Sequence, residues 1–393
     1  MPPKLHIHPP LLNTASPWST SRSHLAALLR CPSLGAVTTR TSLLSGFPHD
    51  PSRNRYAFFD PAAGAPLSVP GNNTSSSSSS TTTTKSSAST TFSGPPDDSL
   101  VNDVFRTDIP TDKLPIASLN TLGYSSLPLS EYLSIISSFT HSPPSSPKTI
   151  IISITGSPSE ISSSYALISS FSHSPQSPSP FPLAIEINLS CPNIPNLPPP
   201  AYSPASLATY LAALPTDSDI PIGIKIPPYT YAGQFDDFVS ALLGSHSPFS
   251  PTSSSSSSPP PPSTSTSSAI PVPASKLSFI TATNTLGSSL LIDTASSSST
   301  SPGPLLPDAG IGGMAGPPLH PLALGNVSNL RRRFDADPRL VHLDIIGVGG
   351  VYDGQGYKRM RSVGAMAVGI ATALGRQGMD VFTSIEKDIN SAW

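Results

Sequence analysis

In the segment AIEINLSCPN, Ala184 to Asn193, an apolar β-branched run ends in a cluster of amides, a serine and a cysteine. Asn188 and Asn193 supply hydrogen-bond donors and acceptors without charge. Cys191 supplies a thiol that becomes a base or nucleophile when ionised. A second signal is Lys225 in IGIKIPP, a lysine inside an otherwise apolar run, where such a residue is rare unless paired or used. The third is a pair of glycine-rich stretches, GIGGMAG at Gly310–Gly316 and GVGGVYDGQG from Gly347. Loops of this kind let backbone N–H groups approach a phosphate. A thiol base, an interior cation, uncharged amides and two phosphate-type loops together imply a phosphorylated cofactor beside a polar substrate. Cys31 has no comparable surroundings and reads as a small buried hydrophobe.

Positioning these groups requires regular elements. Eight short aliphatic runs are read as strands: GAVTT at Gly35, PIASL at Pro115, TIIISIT at Thr149, LAIEINL at Leu183, IPIGIKI at Ile220, LSFITAT at Leu277, VHLDIIGV at Val341 and AMAVGI at Ala365. Helical patterns fall between several of them, at residues 129–139, 203–214, 234–243, 320–334, 356–363 and 375–389. Strands alternating with helices imply parallel βαβ units, and eight of them an α/β fold, the (β/α)8 TIM barrel. An open doubly wound sheet is the competitor, but no Gly-x-Gly-x-x-Gly turn follows the first strand. In a barrel, functional groups sit just past the strand ends on one rim. Arg40, Asn120, Asn188, Cys191, Lys225, Asn284, Gly349, Gly350 and Thr372 all fall at such ends. Alternation along a strand puts Glu186 on the same inward face as Asn188, and Lys225 on the inward face of the next strand. Glu186 is therefore expected to pair with a buried donor, Lys225 being one candidate.

The rest of the chain is unusual in composition. Of 393 residues only 11% are charged, and 49 are proline, against roughly 25% charged residues in ordinary globular domains. Three low-complexity stretches, 71–98, 245–273 and 293–307, carry too few apolar residues to offset backbone ordering and are expected to be disordered insertions in a single barrel domain spanning 1–393. A net charge of -2 argues against nucleic acid as a partner and favours small molecules. Cys31 and Cys191 have no zinc or disulfide spacing. No run is long enough for a membrane helix, and the N-terminal residues lack a signal-peptide core. A cytoplasmic protein without a metal site is expected.

The motifs EINLSCPNIP, GIKIPPY, NTLGSSLLID, GIGGMAGPPLHPLALGNV and DIIGVGGVYDGQGYKRMRSVGAMAVGIATALGRQG resemble dihydroorotate dehydrogenases, specifically the soluble fumarate-using branch, class 1A. LNTASP, GAVTTRTS and SLNTLGY are similar more weakly. The resemblance implies FMN as cofactor, oxidation of (S)-dihydroorotate to orotate in UMP biosynthesis, fumarate as electron acceptor, and a homodimer. It implies Cys191 as catalytic base, where the membrane-bound branch has serine, and Lys225 as the residue that stabilises the reduced flavin. Arg40, Asn120, Leu122, Gly123, Tyr124, Asn188, Asn193, Asn284 and Thr285 would surround the substrate. Ala15, Ser16, Arg40, Thr41, Asn188, Lys225, Thr283, Gly316, Gly349, Gly350, Ala371 and Thr372 would hold the flavin. Arg40 stands where the family carries lysine, Leu122 and Tyr124 where methionine and leucine are usual, and Ala371 where glycine is usual. These departures leave open a flavin-binding relative without turnover, or an oxidoreductase acting on another dihydropyrimidine.

Overall fold

The computed structural model describes residues 1–68, 116–139, 148–174, 179–194, 197–245, 272–294 and 302–393. The expected insertion at 71–98 lies outside the described residues, as do 246–271 and 295–301 of the other two. The margins of those two are folded. Pro273–Lys276 forms a 3-10 turn, Gly303–Pro304 pairs antiparallel with Ile292–Asp293, and Leu306 is buried.

Eight parallel strands close into a barrel. They are β1 (Leu11–Asn13), β2 (Ala36–Thr38), β3 (Thr149–Ile154), β4 (Leu183–Asn188), β5 (Ile222–Ile226), β6 (Phe279–Ala282), β7 (Asp344–Val348) and β8 (Ala367–Ile370). The order is that of the sequence, and β1 pairs with both β2 and β8 to complete the ring. The outward residues of β3, Ile150, Ile152 and Ile154, join the large apolar layer beneath the helices, while Ile151 packs inside with Leu12, Ala184, Phe279 and Ile346. Fully burying each such side chain contributes roughly 1.5–3 kcal/mol. A Cβ on Gly223 would lie 2.4 Å from the Phe279 ring, so a glycine on β5 is what lets one phenylalanine fill the barrel's centre. Leu5 and Ile7 complete that inner cluster. Ser278 and Thr149 hold this N-terminal segment by donating to the Pro3 and His6 carbonyls, 2.7 and 3.1 Å.

Seven of the eight expected strands are barrel staves, and PIASL is not. Ala117–Asn120 lies instead in a five-stranded sheet with 56–60, 65–68, 286–289 and 312–315, its described pairings antiparallel. The first stave is Leu11–Asn13, too short to show a period. The sequence does distinguish the two cases. TIIISI is buried along its whole length, as a stave between core and helices must be. In ASLN the apolar Ala117 and Leu119 pack with Phe59 and Leu306, while Ser118 and Asn120 face the cavity described below.

The expected helices are present at Leu129–Ser137, Pro204–Ala212, Ala232–Leu243, His320–Asp335 and Gly354–Ser362. The last expected helix is two, Thr372–Gln377 and Asp380–Asp388, divided at Gly378 with φ 66°. Among the described residues, two helices have no counterpart in the expectation, Arg22–Arg30 and Pro158–Ser172. The second is serine-rich and a weak helix former by composition. It is held by a capping box between Ser157 and Glu160 and by burial of Ile161 and Ile168 at helical spacing.

Candidate active site

The strand ends and the accessory sheet enclose two adjoining cavities on one rim of the barrel. All the residues expected to bind substrate or flavin border one or both. The amides, Cys191 and Arg40 line the first, Gly316, Gly349, Gly350 and Thr283 line the second, and Lys225, Ala15, Ala371 and Thr372 sit between the two.

The register of β4 against β5 sets Glu186 beside Gly223 and Asn188 beside Lys225. Glu186 does pair with buried donors, but Lys225 is not among them. It accepts from the Ser153 hydroxyl at 3.0 Å, on the neighbouring β3, and from the Thr281 hydroxyl at 2.7 Å, on β6, the stave beyond β5. Lys225 lies one step nearer the rim and donates to Thr14 Oγ1 at 3.2 Å. Burial pulls the Lys225 ammonium below its ordinary value, and the negative charges at Glu186 and Cys191 work against that shift.

Asn188 is nearly inaccessible, and both ends of its amide are engaged. Nδ2 donates to Thr41 Oγ1 at 3.0 Å, and Oδ1 accepts from the Ser190 hydroxyl at 2.8 Å and from Asn284 Nδ2 at 3.4 Å. Asn284 Nδ2 also donates to Ser190 Oγ, and its Oδ1 accepts from the Thr285 N–H. On the facing wall Asn193 Nδ2 donates to Asn120 Oδ1 at 2.8 Å and to the Leu122 carbonyl at 2.9 Å. The amides are thus fixed in orientation before any ligand arrives, the condition for reading a hydrogen-bonding pattern.

Cys191 sits between these walls. Burial pushes its thiol up, opposed by the Asn193 backbone N–H, Lys225, the Tyr124 hydroxyl and Arg40. Arg40 donates from Nη2 to the Gly123 carbonyl at 3.2 Å, and burial draws its guanidinium down from its usual value. Phe47 covers Gly123 and meets Tyr124 edge to face at 5.7 Å. The loop is closed from outside by the accessory sheet, where a Cβ on Gly287 would come within 2.8 Å of Pro192.

The second cavity is walled by backbone. Gly350 has φ 67°, and a Cβ there would lie 2.5 Å from the Gly316 carbonyl oxygen. His320 braces this loop from behind. Arg359 donates from Nε to His320 Nε2 at 3.1 Å, so that nitrogen is unprotonated, and Nδ1–H donates to the Gly349 carbonyl at 2.7 Å. Two buried hydroxyls bordering the cavities, Ser16 Oγ and Thr283 Oγ1, have no partner, and Lys225 forms no ion pair among the described residues. Unpaired donors around a buried ammonium fit an anionic, acceptor-rich group bound across both cavities.

Sequence reasoning missed an aromatic wall. Trp18 and Tyr56 line the first cavity, with Trp18 stacked on Phe58 at 6.0 Å and edge-on to Tyr56 at 5.6 Å. A Cβ on Gly375 would meet the Trp18 ring at 2.0 Å. The available signal was Trp18 itself, one of two tryptophans in the chain, directly after the LNTASP motif.

Comparison with known proteins bears on the family. The dihydroorotate dehydrogenase family model matches residues 104–247 and 261–392. The dihydroorotate dehydrogenase (fumarate) of Trypanosoma cruzi is 28% identical over 275 residues, 70% of this chain and 73% of that protein. Dihydroorotate dehydrogenase A (fumarate) of Lactococcus lactis is 28% identical over 204 residues, 52% and 53% of the two chains. The crystal structure of a ligand-free dihydroorotate dehydrogenase from Eimeria tenella superposes with a TM-score of 0.57 at 14% identity, over 98% of this chain and 85% of that one, a likeness of fold. A barrel of this topology, a family match over most of its length and a rim that gathers the cysteine, the lysine and the amides lead to one statement: the chain belongs to the dihydroorotate dehydrogenase family.

Proposed function

We propose that the protein oxidises (S)-dihydroorotate to orotate, in pyrimidine biosynthesis, with FMN as cofactor and fumarate as electron acceptor, as a cytoplasmic homodimer. The observation that carries this reading is the placement of Cys191 and Lys225 on a single cavity whose walls are oriented asparagines. Oxidising a dihydropyrimidine ring removes a proton from one carbon and a hydride from its neighbour. FMN, when bound, supplies the hydride acceptor. Ser16, Thr283 and Lys225, whose polar atoms lack strong partners, would hold it together with the Gly316, Gly349 and Gly350 backbone.

The remaining chemistry belongs to the chain. Cys191, as thiolate, takes the proton from the substrate carbon and is reprotonated as its thiol. Lys225 places a fixed positive charge where negative charge accumulates, in a water-poor site where such a charge acts strongly. Asn120, Asn188, Asn193 and Asn284 match the donors and acceptors of a pyrimidine edge. Arg40 offers the guanidinium that a carboxylate takes bidentately, which suits both orotate and the dicarboxylate fumarate.

The test is the visible spectrum of the purified protein without oxygen, before and after adding dihydroorotate. A yellow flavin band that bleaches is expected. A band that persists in the presence of dihydroorotate would move the assignment to another dihydropyrimidine or to a relative without turnover. Folded protein with no band would remove the cofactor assignment.

A further inference from the structure

Glu186 touches neither cavity, yet its hydrogen bonds continue to the substrate wall. A carboxylate only accepts, so Ser153 must spend its proton on Glu186 Oε1 and Thr281 its proton on Oε2. The 2.9 Å contact between Ser153 Oγ and Thr41 Oγ1 then has one polarity left, with Thr41 donating. Thr41, having given its proton, can only accept from Asn188, which fixes Nδ2 as the end facing Thr41 and Oδ1 as the end facing Ser190 and Asn284. Asn284 must in turn present Nδ2 to Ser190 and Oδ1 to the Thr285 N–H.

We infer that Glu186 is a positioning residue, which through Ser153 and Thr41 holds the donor end of Asn188 in the polarity that the Ser190 and Thr285 backbone N–H groups require at the acceptor ends of Asn188 and Asn284, and so stabilises the hydrogen-bonding pattern the cavity accepts. The inference rests on the reading of that wall as the pyrimidine site. The links from Glu186 through Ser153, Thr41 and Asn188 are all buried, so no bulk water competes there to reset the polarity. Reversing one link would leave two protons or two lone pairs facing each other.

The experiment measures orotate affinity of the cofactor-loaded protein from the perturbation of its visible absorption, with cofactor content recorded for each variant. Glu186→Met removes the acceptor and is expected to weaken orotate binding by about tenfold while the cofactor is retained. Glu186→Gln keeps a carbonyl for Ser153 and should restore most of the affinity, which a role as mere counter-charge to Lys225 would not allow. Ser153→Ala cuts the relay with Glu186 in place, and serves alone if Glu186→Met does not fold; it too should cost about tenfold. The double variant should be no weaker than either single one, since both break the same relay, whereas independent effects would multiply to about a hundredfold. Unchanged affinity in Ser153→Ala, an additive double variant, or no recovery in Glu186→Gln would each overturn the inference. Wild-type protein that retains cofactor but does not bind orotate would instead overturn the assignment of the site.

Discussion

The two ends of the site are built from different material. At the Cys191 end the wall is side chain, with Asn120, Asn188, Asn193 and Asn284 each held by hydrogen bonds to neighbours. At the Gly350 end it is backbone, with glycines where a Cβ would strike a carbonyl or a side chain, and His320 bracing the loop from outside. Side chains can be oriented to distinguish one ring edge from another, and a glycine backbone can approach a charged group closely without reading its identity. The difference teaches that selectivity and retention are separable here: one end should decide which molecule reacts, the other whether the cofactor stays.

The largest expected effect breaks the first end alone. Cys191→Ala should lower the rate of flavin reduction by dihydroorotate about 10²–10⁴-fold, the usual contribution of a positioned base, with cofactor content unchanged; stopped-flow reduction checks it. Gly350→Ala should break the other end alone. Its side chain would have to occupy φ 67° against the Gly316 carbonyl, strain of about 1–3 kcal/mol. Cofactor affinity, followed by flavin fluorescence, should fall about 10- to 100-fold, and the rate of reduction at saturating cofactor should change much less. The pH profile sharpens the comparison. Burial raises the Cys191 thiol, and only the thiolate is the base, so the reduction rate should climb about tenfold per pH unit on the acid side of that thiol's pKa and level off above it. Cofactor affinity should not follow this profile. The smallest effect is Arg40→Lys. An ammonium cannot hold the Gly123 carbonyl and grip a carboxylate in the manner of the planar guanidinium, so KM for dihydroorotate should rise about three- to tenfold with kcat nearly constant, as steady-state kinetics would report.

Much of this was legible in the sequence, because a barrel turns a one-dimensional rule into a place. Residues just past strand ends converge on one rim, so Asn188, Cys191, Lys225, Asn284 and Gly349 could be grouped without knowing a single distance. What failed did so where the local signal is short or ambiguous. Leu11–Asn13 has too few residues to show a period, and a stave buried on both faces has no alternation to reveal. PIASL makes up the expected eight without it, although the alternation in Ala117–Asn120 marks a sheet with unlike faces. For Glu186 the face and the need for a buried donor are legible, but the donors are Ser153 and Thr281 rather than Lys225. Which inward group meets which depends on stagger between staves, and the sequence does not state stagger. Trp18 and Tyr56 were invisible for a related reason, since they reach the site from a loop and from the accessory sheet.

The closure of the barrel between β1 and β8 also bears on how the protein is made. A ribosome delivers the chain N-terminus first, so Leu11–Asn13 emerges long before its partner Ala367–Ile370 exists. Ala15 and Ser16 on one side of the seam, and Ala371 and Thr372 on the other, border the same cavity. The nascent polypeptide therefore lacks a complete cavity until the final stave has left the exit tunnel.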